Sequence, residues 1–211
     1  MMIKSSIMGY AQVGVFCATN DEITLVPLST PAHFVSTVKK VLGTDVIKMN
    51  LCNSQLLGLF STCSNSEIII PHIAQQHEID TLKDNFKKVI VSDSALTAIG
   101  NLVVMNDNVT LVSSDLKNHK QLNAKPFKLK ATVLIGSGIV ATNQAFIAHP
   151  ETTDAELEQL KDLLKVEGDV GTVNFGNPYV RAGLLANSNG IIAGNLSSGP
   201  ELNRIDDIFN R

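Results

Sequence analysis

The chain contains no tryptophan and only three arginines, Arg181, Arg204 and Arg211, among 211 residues with a formal net charge of −3. That scarcity excludes a surface that grips free nucleic acid by neutralising phosphates. Such binding needs Lys and Arg set along one face, and no basic tail or aromatic-basic cluster is present. The stretch from Lys117 to Lys130 is locally basic, which an ordinary solvated helix and strand explain. Long apolar runs are missing too: nothing approaches the roughly 18 residues of a membrane span, and Met1 to Lys4 open no signal core. A cytoplasmic protein without membrane contact is the expectation. Cysteine is scarce and odd in number. Cys17, Cys52 and Cys63 have the spacing of neither a disulfide scaffold nor a zinc site, so reduced thiols are expected, with Cys17 and Cys63 as small core residues.

Motifs for chemistry are equally sparse. His33, His72, His77, His119 and His149 form no pattern with the cysteines that would raise a thiolate and orient a base. His72 and His77, five apart, would point to different faces of a helix, and His149 beside Pro150 sits at a strand end. The glycines near Gly136 and Gly199 lack the spacing of a phosphate-binding loop. No catalytic residue, metal ligand or cofactor is expected.

What the chain does have is repetition. Gly14, Gly58, Gly100, Ile139 and Gly183 each open a short apolar segment that reads as a strand and reaches a turn centred on Asn20, Asn65, Asn106, Asn143 or Asn187. A second apolar strand follows each turn and stops at Pro27, Pro71, Ser113 with Ser114, Pro150 or Gly194. A period of roughly 42 residues repeated five times signals a solenoid or propeller. Between repeats, Ser29, Thr30 and Pro31 offer a helix start and Gly43 a stop, while Thr153 and Glu156 form a capping box ahead of the Leu157, Leu160, Leu163 and Leu164 stripe. Third strands fit Asp45 to Met49, Val89 to Val91 and Lys128 to Val133, giving a strand-strand-helix-strand unit. The third unit is the weakest, its helix near Asp115 to Leu122 being short and limited by Pro126.

The fifth unit has a capped helix from Ser198 to Phe209 but no third strand before Arg211, whereas Met2 to Ile7 form an unassigned strand ahead of the first unit. If that segment completes the fifth unit, the ring closes with no free sheet edge. The expectation is one α/β domain over 1–211, built of repeats at about 8–50, 51–98, 99–135, 136–180 and 181–211 and closed by a strand at 2–7.

Several dispersed segments carry a resemblance. Ala18 to Pro27, Ile99 to Val103 with Asn106 and Asp107, Thr142 and Asn143 with His149 and Pro150, and Gly183 to Gly190 leading to Ser198 to Leu202 match, in order and spacing, the archaeal and eukaryotic translation initiation factor 6 family. The resemblance implies a pentein, a closed five-bladed pseudo-symmetric β/α propeller around a central channel. It also implies binding to the large ribosomal subunit on its intersubunit face, mainly to ribosomal protein with limited rRNA contact. The bound factor prevents premature joining of the small subunit, and a role in large-subunit biogenesis comes with the eukaryotic members. Ending soon after the fifth helix, the chain resembles the archaeal form, and a monomer is expected. In the family the contact lies around the starts of successive strands, here Gly58 and Leu59, Gly100 and Asn101, and Ser137 and Gly138. Asn101 is the first choice, its amide pairing with ribosomal-protein backbone; the alternative is a turn residue bonded to its own backbone. The chain departs from the family at Cys52 to Gln55, at Gly138 and at Asn174 to Arg181, which bears on the interface more than on the skeleton. The rival expectation is a guanidine-modifying enzyme of the same fold, which would need a cysteine near the C-terminal end, and none follows Cys63.

Overall fold

Short apolar segments alternating with polar turns fold into five copies of one unit in a computed structural model that describes residues 1–117 and 119–210. Asn118, within the expected third helix, and Arg211 lie outside the described residues. Strand β1 (Met2–Ser5) precedes the first unit, which comprises α1 (Val13–Phe16), β2 (Ala18–Thr19), β3 (Ile23–Val26), α2 (Ala32–Leu42) and β4 (Asp45–Lys48). The second has α3 (Leu57–Phe60), β5 (Thr62–Cys63), β6 (Glu67–Pro71), α4 (Gln76–Lys83) and β7 (Lys88–Ser92). In the third, α5 (Ile99–Leu102), β8 (Val103–Met105) and β9 (Thr110–Ser113) lead to a 3₁₀ turn (His119–Leu122) and β10 (Lys125–Phe127). The fourth has α6 (Ile135–Gly138), β11 (Ile139–Ala141), β12 (Ala145–Ala148), α7 (Asp154–Leu164) and β13 (Glu167–Val170). The fifth has α8 (Val180–Gly183), β14 (Leu184–Ala186), β15 (Ile191–Gly194) and α9 (Gly199–Phe209).

Each unit makes one three-stranded sheet. The first two strands form an antiparallel hairpin, and the helix then crosses over so that the third strand pairs in parallel with the second. In the fifth sheet the third strand is β1, whose Met2 to Ser5 lie in parallel register with Ile191 to Gly194. The N-terminal segment thus supplies the third strand of the last sheet through Met2 to Ser5. The expectation of a ring without sheet edges does not hold, because among the described residues every sheet keeps two edge strands and no hydrogen-bonded ladder runs from one sheet to the next.

Closure comes from packing instead. Five apolar cores sit at the seams between neighbouring units: Phe34, Val38, Val41 and Leu42 of α2 pack with Leu185 and Ile192 of the fifth unit, and Ile205 and Ile208 of α9 pack with Ala145 and Ile147 of the fourth. No unit can bury its apolar face alone, so stability lies in the interfaces. The middle strands are enclosed on both sides and read as unbroken apolar runs, Leu25–Val26, Ile68–Ile70, Leu111–Val112 and Phe146–Ala148 among them.

Local signals explain most boundaries. Gly43 ends α2 with φ +66°, and Thr153 with Glu156 and Ser198 with Glu201 form capping boxes on α7 and α9. The start of α2 differs from expectation: Pro31 occupies the cap without a side-chain bond, and the Thr30 hydroxyl is buried without a partner. Lys128 to Val133 is not a strand; β10 lies three residues earlier, where Pro126 is tolerated because an edge strand has an unpaired side. The helix expected near Asp115 shortens to a 3₁₀ turn. His72 lies exposed in the connection after β6 rather than on a helix, and His149 is buried directly after β12.

Candidate interaction face

The expected strand openings Gly14, Gly58 and Gly100 lie on one-turn helices instead, and Gly183 ends one; only Ile139 opens a strand. The reason is steric. A Cβ on Gly58 would fall on the carbonyl oxygens of Gly14 and Cys17, one on Gly100 on the Gly58 oxygen, and one on Gly136 on the Gly100 oxygen. The one-turn helices therefore stack backbone to backbone, α1 on α3, α3 on α5, α5 on α6, α6 on α8 and α8 on α1, and encircle one mouth of a central channel.

The residue after each of these glycines faces that mouth. Val15, Leu59, Asn101, Ser137 and Ala182, with Tyr179 and Arg181, line a depression of about 200 Å³. Three of the expected contacts, Leu59, Asn101 and Ser137, thus occupy one equivalent position in three units. Gly100 is buried, and the expected pair Ser137 and Gly138 is one place out of register: the counterpart of Gly58 and Gly100 is Gly136, two residues before Gly138, which packs near Thr132, His149 and Leu129. The Ser137 hydroxyl donates to Asn101 Oδ1 at 2.8 Å. Asn101 is therefore tied to the next unit, and its amide NH₂ makes no hydrogen bond among the described residues.

Chain direction puts more on the same face. The first strand of a unit leaves the one-turn helix and the second and third return, so the loops after both end beside the mouth. Eight exposed apolar side chains lie in those loops: Tyr10, Leu28, Ile73, Leu96, Val133, Phe175, Tyr179 and Leu196. Phe175 is 84% exposed at a left-handed turn position, φ +66°, and its N–H is bound by the buried Glu201 carboxylate. Tyr10 stacks on Phe16 with centroids 5.3 Å apart, and Tyr179 meets His149 edge-on at 5.9 Å. Sheet and helix order could not reveal this grouping, because the loops are dispersed in sequence.

The opposite mouth is shut by a polar belt. The Asn65 and Asn143 amides each donate to both Asp21 and Asp107, at 2.8 to 3.0 Å, and the Ser188 N–H donates to Asp21 at 2.8 Å. These five residues are equivalent. The true counterparts of Asn20, Asn106 and Asn187 are Ser64 and Thr142, each accepting from backbone two and three residues on, so Asn65 and Asn143 were one place out of register as turn centres. Asn has one further use: Asn20, Asn106 and Asn187 donate across the seam to carbonyls of Ser64, Thr142 and Asn20.

A model of the eIF-6 family matches residues 2–208. Similar proteins include translation initiation factor 6 of Methanocaldococcus jannaschii, 34% identical over 221 residues with 98% of this chain and 97% of that one covered. Translation initiation factor 6 of Sulfolobus acidocaldarius is 33% identical over 218 residues, with 98% of each chain covered. The chain belongs to the eIF-6 family. Membership places it among translation factors, and the five-unit α/β ring is the pentein architecture that the resemblance implied.

Within this eIF-6 family ring, the channel holds groups that sequence reasoning did not single out. Arg181 of α8 stands where the other units have Gly14, Gly58, Gly100 and Gly136, and that break in the repeat was the available signal. Its Nη2 donates to the Ser61 carbonyl at 2.9 Å and more weakly to that of Gly58 at 3.5 Å. Cys17 and Cys63 line the same channel; burial pushes both thiols up, Cys63 to about 12 despite the opposing pull of Arg181. Among the described residues no group of three His, Cys, Asp or Glu could hold a metal ion, and no helix is long and apolar enough to cross a membrane.

Proposed function

We propose that this eIF-6 family member binds the large ribosomal subunit through the face carrying the one-turn helices and prevents premature joining of the small subunit by occupying its docking ground. The observation that carries the reading is the family match over nearly the whole chain, to proteins named translation initiation factor 6. The face itself favours protein over RNA as the main contact. It presents eight apolar side chains, whereas Arg181 is drawn into the channel and Arg204 is held by Asp169 at 2.8 Å. Few guanidinium groups remain for phosphates, so rRNA contacts are few and local.

Blocking by overlap requires shape, not chemistry, and a closed ring with its cores at the seams resists deformation. Leu59, Asn101 and Ser137 make contact at the mouth, Asn101 through its NH₂, while Gly100 and Gly138 act by allowing the close packing that positions them. The factor works as a cytoplasmic monomer and accompanies the large subunit during its maturation. The enzyme alternative is disfavoured by the cysteines, which burial keeps as thiols at neutral pH.

Sedimentation in sucrose gradients with separated subunits from a matching source tests this. Co-migration with the large subunit and loss of joined ribosomes are expected, both weakened by Asn101→Ala and more by Leu59→Asp. Protein that stays at the top of the gradient at low and moderate salt alike would overturn the proposal.

A further inference from the structure

Four units place glycine at the second position of the one-turn helix and the fifth places Arg181 there. The Arg181 side chain reaches across the channel to the Ser61 carbonyl of the second unit, so one positive charge enters a space lined mainly by apolar and thiol side chains, with the threonines Thr19 and Thr62. Beneath it lies a cavity of about 50 Å³ whose walls include Cys17, Thr19, Thr62, Met105, Val140 and Leu184. A single water needs on the order of 10–15 Å³ by the same measure, so the space admits a small ion but no nucleotide or sugar phosphate.

The guanidinium is incompletely satisfied there. One nitrogen, Nη2, is used by the Ser61 and Gly58 carbonyls, whereas Nε is buried and has no acceptor among the described residues. Among the described residues no carboxylate forms an ion pair with it; Asp21 and Asp107, at the far end of the channel, are met by the amides of Asn65 and Asn143. A buried cation without a counter-charge is costly, and two carbonyl dipoles do not supply a full negative charge. Thr62, on the cavity wall, brings a hydroxyl that can add a donor.

We propose that the channel binds a small monovalent inorganic anion, of the size of chloride or nitrate, between Arg181 Nε and the Thr62 side of the cavity. Monovalent ions are selected because the apolar walls cannot repay the hydration that sulfate or phosphate would lose. Entry is from the mouth ringed by the one-turn helices, whose depression Arg181 also lines. The polar belt closes the other end.

The test compares thermal unfolding of the full chain in sodium chloride, bromide or nitrate with sodium gluconate at equal ionic strength. An anion bound only by the folded state at ten times its half-saturating concentration raises the folding constant about 11-fold, and the midpoint rises with concentration accordingly. Arg181→Ala, which removes the guanidinium and keeps the Cβ already present, is expected to lose this dependence. Bromide-soaked crystals of the native chain should show an anomalous peak within hydrogen-bond reach of Nε, a readout that stands even if the variant fails to fold. Equal midpoints in chloride and gluconate, an undiminished chloride effect in Arg181→Ala, or a bromide map with an empty channel would each overturn the proposal.

Discussion

Replacing Glu201 by Gln should cost this protein about 3 kcal/mol at neutral pH. The carboxylate is 8% exposed and accepts from the N–H groups of Phe175, Gly176 and Ser198 at 3.1, 2.8 and 2.6 Å and from the hydroxyls of Ser198 and Thr172 at 2.9 Å. It thereby caps α9 and clasps the turn that carries Phe175 onto the interaction face. Burial alone would raise its pKa; the hydrogen bonds from Ser198, Gly176 and Thr172 outweigh burial and hold it at about 2, against 4.5 for an unperturbed glutamate. The fall from 4.5 to about 2, at roughly 1.4 kcal/mol per pH unit, amounts to about 3.5 kcal/mol, of which Gln, keeping a carbonyl as acceptor, loses about 3. Because the folded value lies below the unfolded one, the unfolded chain binds more protons between them. The contribution is therefore complete above about pH 4.5 and fades as pH falls towards about 2. Gln keeps the volume but turns an NH₂ towards backbone donors. Urea unfolding followed by far-ultraviolet circular dichroism, from neutral pH to about pH 3, measures both effects. The expected midpoint loss on heating is about 6–12 °C for a chain of this size. A loss under about 1 kcal/mol, or an acid limb as steep with Gln as with Glu, would refute the reasoning.

Gly58→Ala should destabilise by more than about 3 kcal/mol or prevent folding, because its Cβ would overlap the Gly14 and Cys17 carbonyls. Gly199→Ala, with nothing within 4 Å, is the matched control and should leave the urea midpoint within about 0.5 kcal/mol. Thiol labelling at mildly alkaline pH should leave Cys17 and Cys63 untouched until denaturant is added, and should reach half-buried Cys52 only slowly, since burial and the Glu78 carboxylate push its thiol up to about 12. Rapid native-state labelling of all three cysteines would contradict the packing of the channel.

The repeat, its period and the strand-strand-helix-strand order were legible in the sequence because they rest on local chemistry. Apolar runs bounded by Asn and Pro, the Thr153 and Ser198 caps, and Gly43 act within a few residues of themselves, whatever the rest of the chain does. The closing role of Met2 to Ser5 was also legible, since a missing strand at one end and a spare one at the other leave a single arrangement. The dispersed family segments named the fold and the factor family, while the contacts they imply at Leu59, Gly100, Asn101, Ser137 and Gly138 belong to the proposed function.

Tertiary structure decided what depends on neighbouring units. Sequence alone did not show that Gly14, Gly58 and Gly100 sit in helical turns, because their need for glycine arises from carbonyls of another unit, some forty residues away for Gly58 and Gly100 and at Arg181 and Leu184 for Gly14. The one-residue misreading of Asn65 and Asn143 has the same origin: Asn serves both the turn and the belt, and only the bonds to Asp21 and Asp107 separate the two uses. The candidate interaction face gathers loops from every unit, so its apolar character emerges only when the ring is closed. Arg181 belongs here as well. A lone arginine in a sequence is a surface residue by default, and only the inward direction of its helix places its charge in the channel.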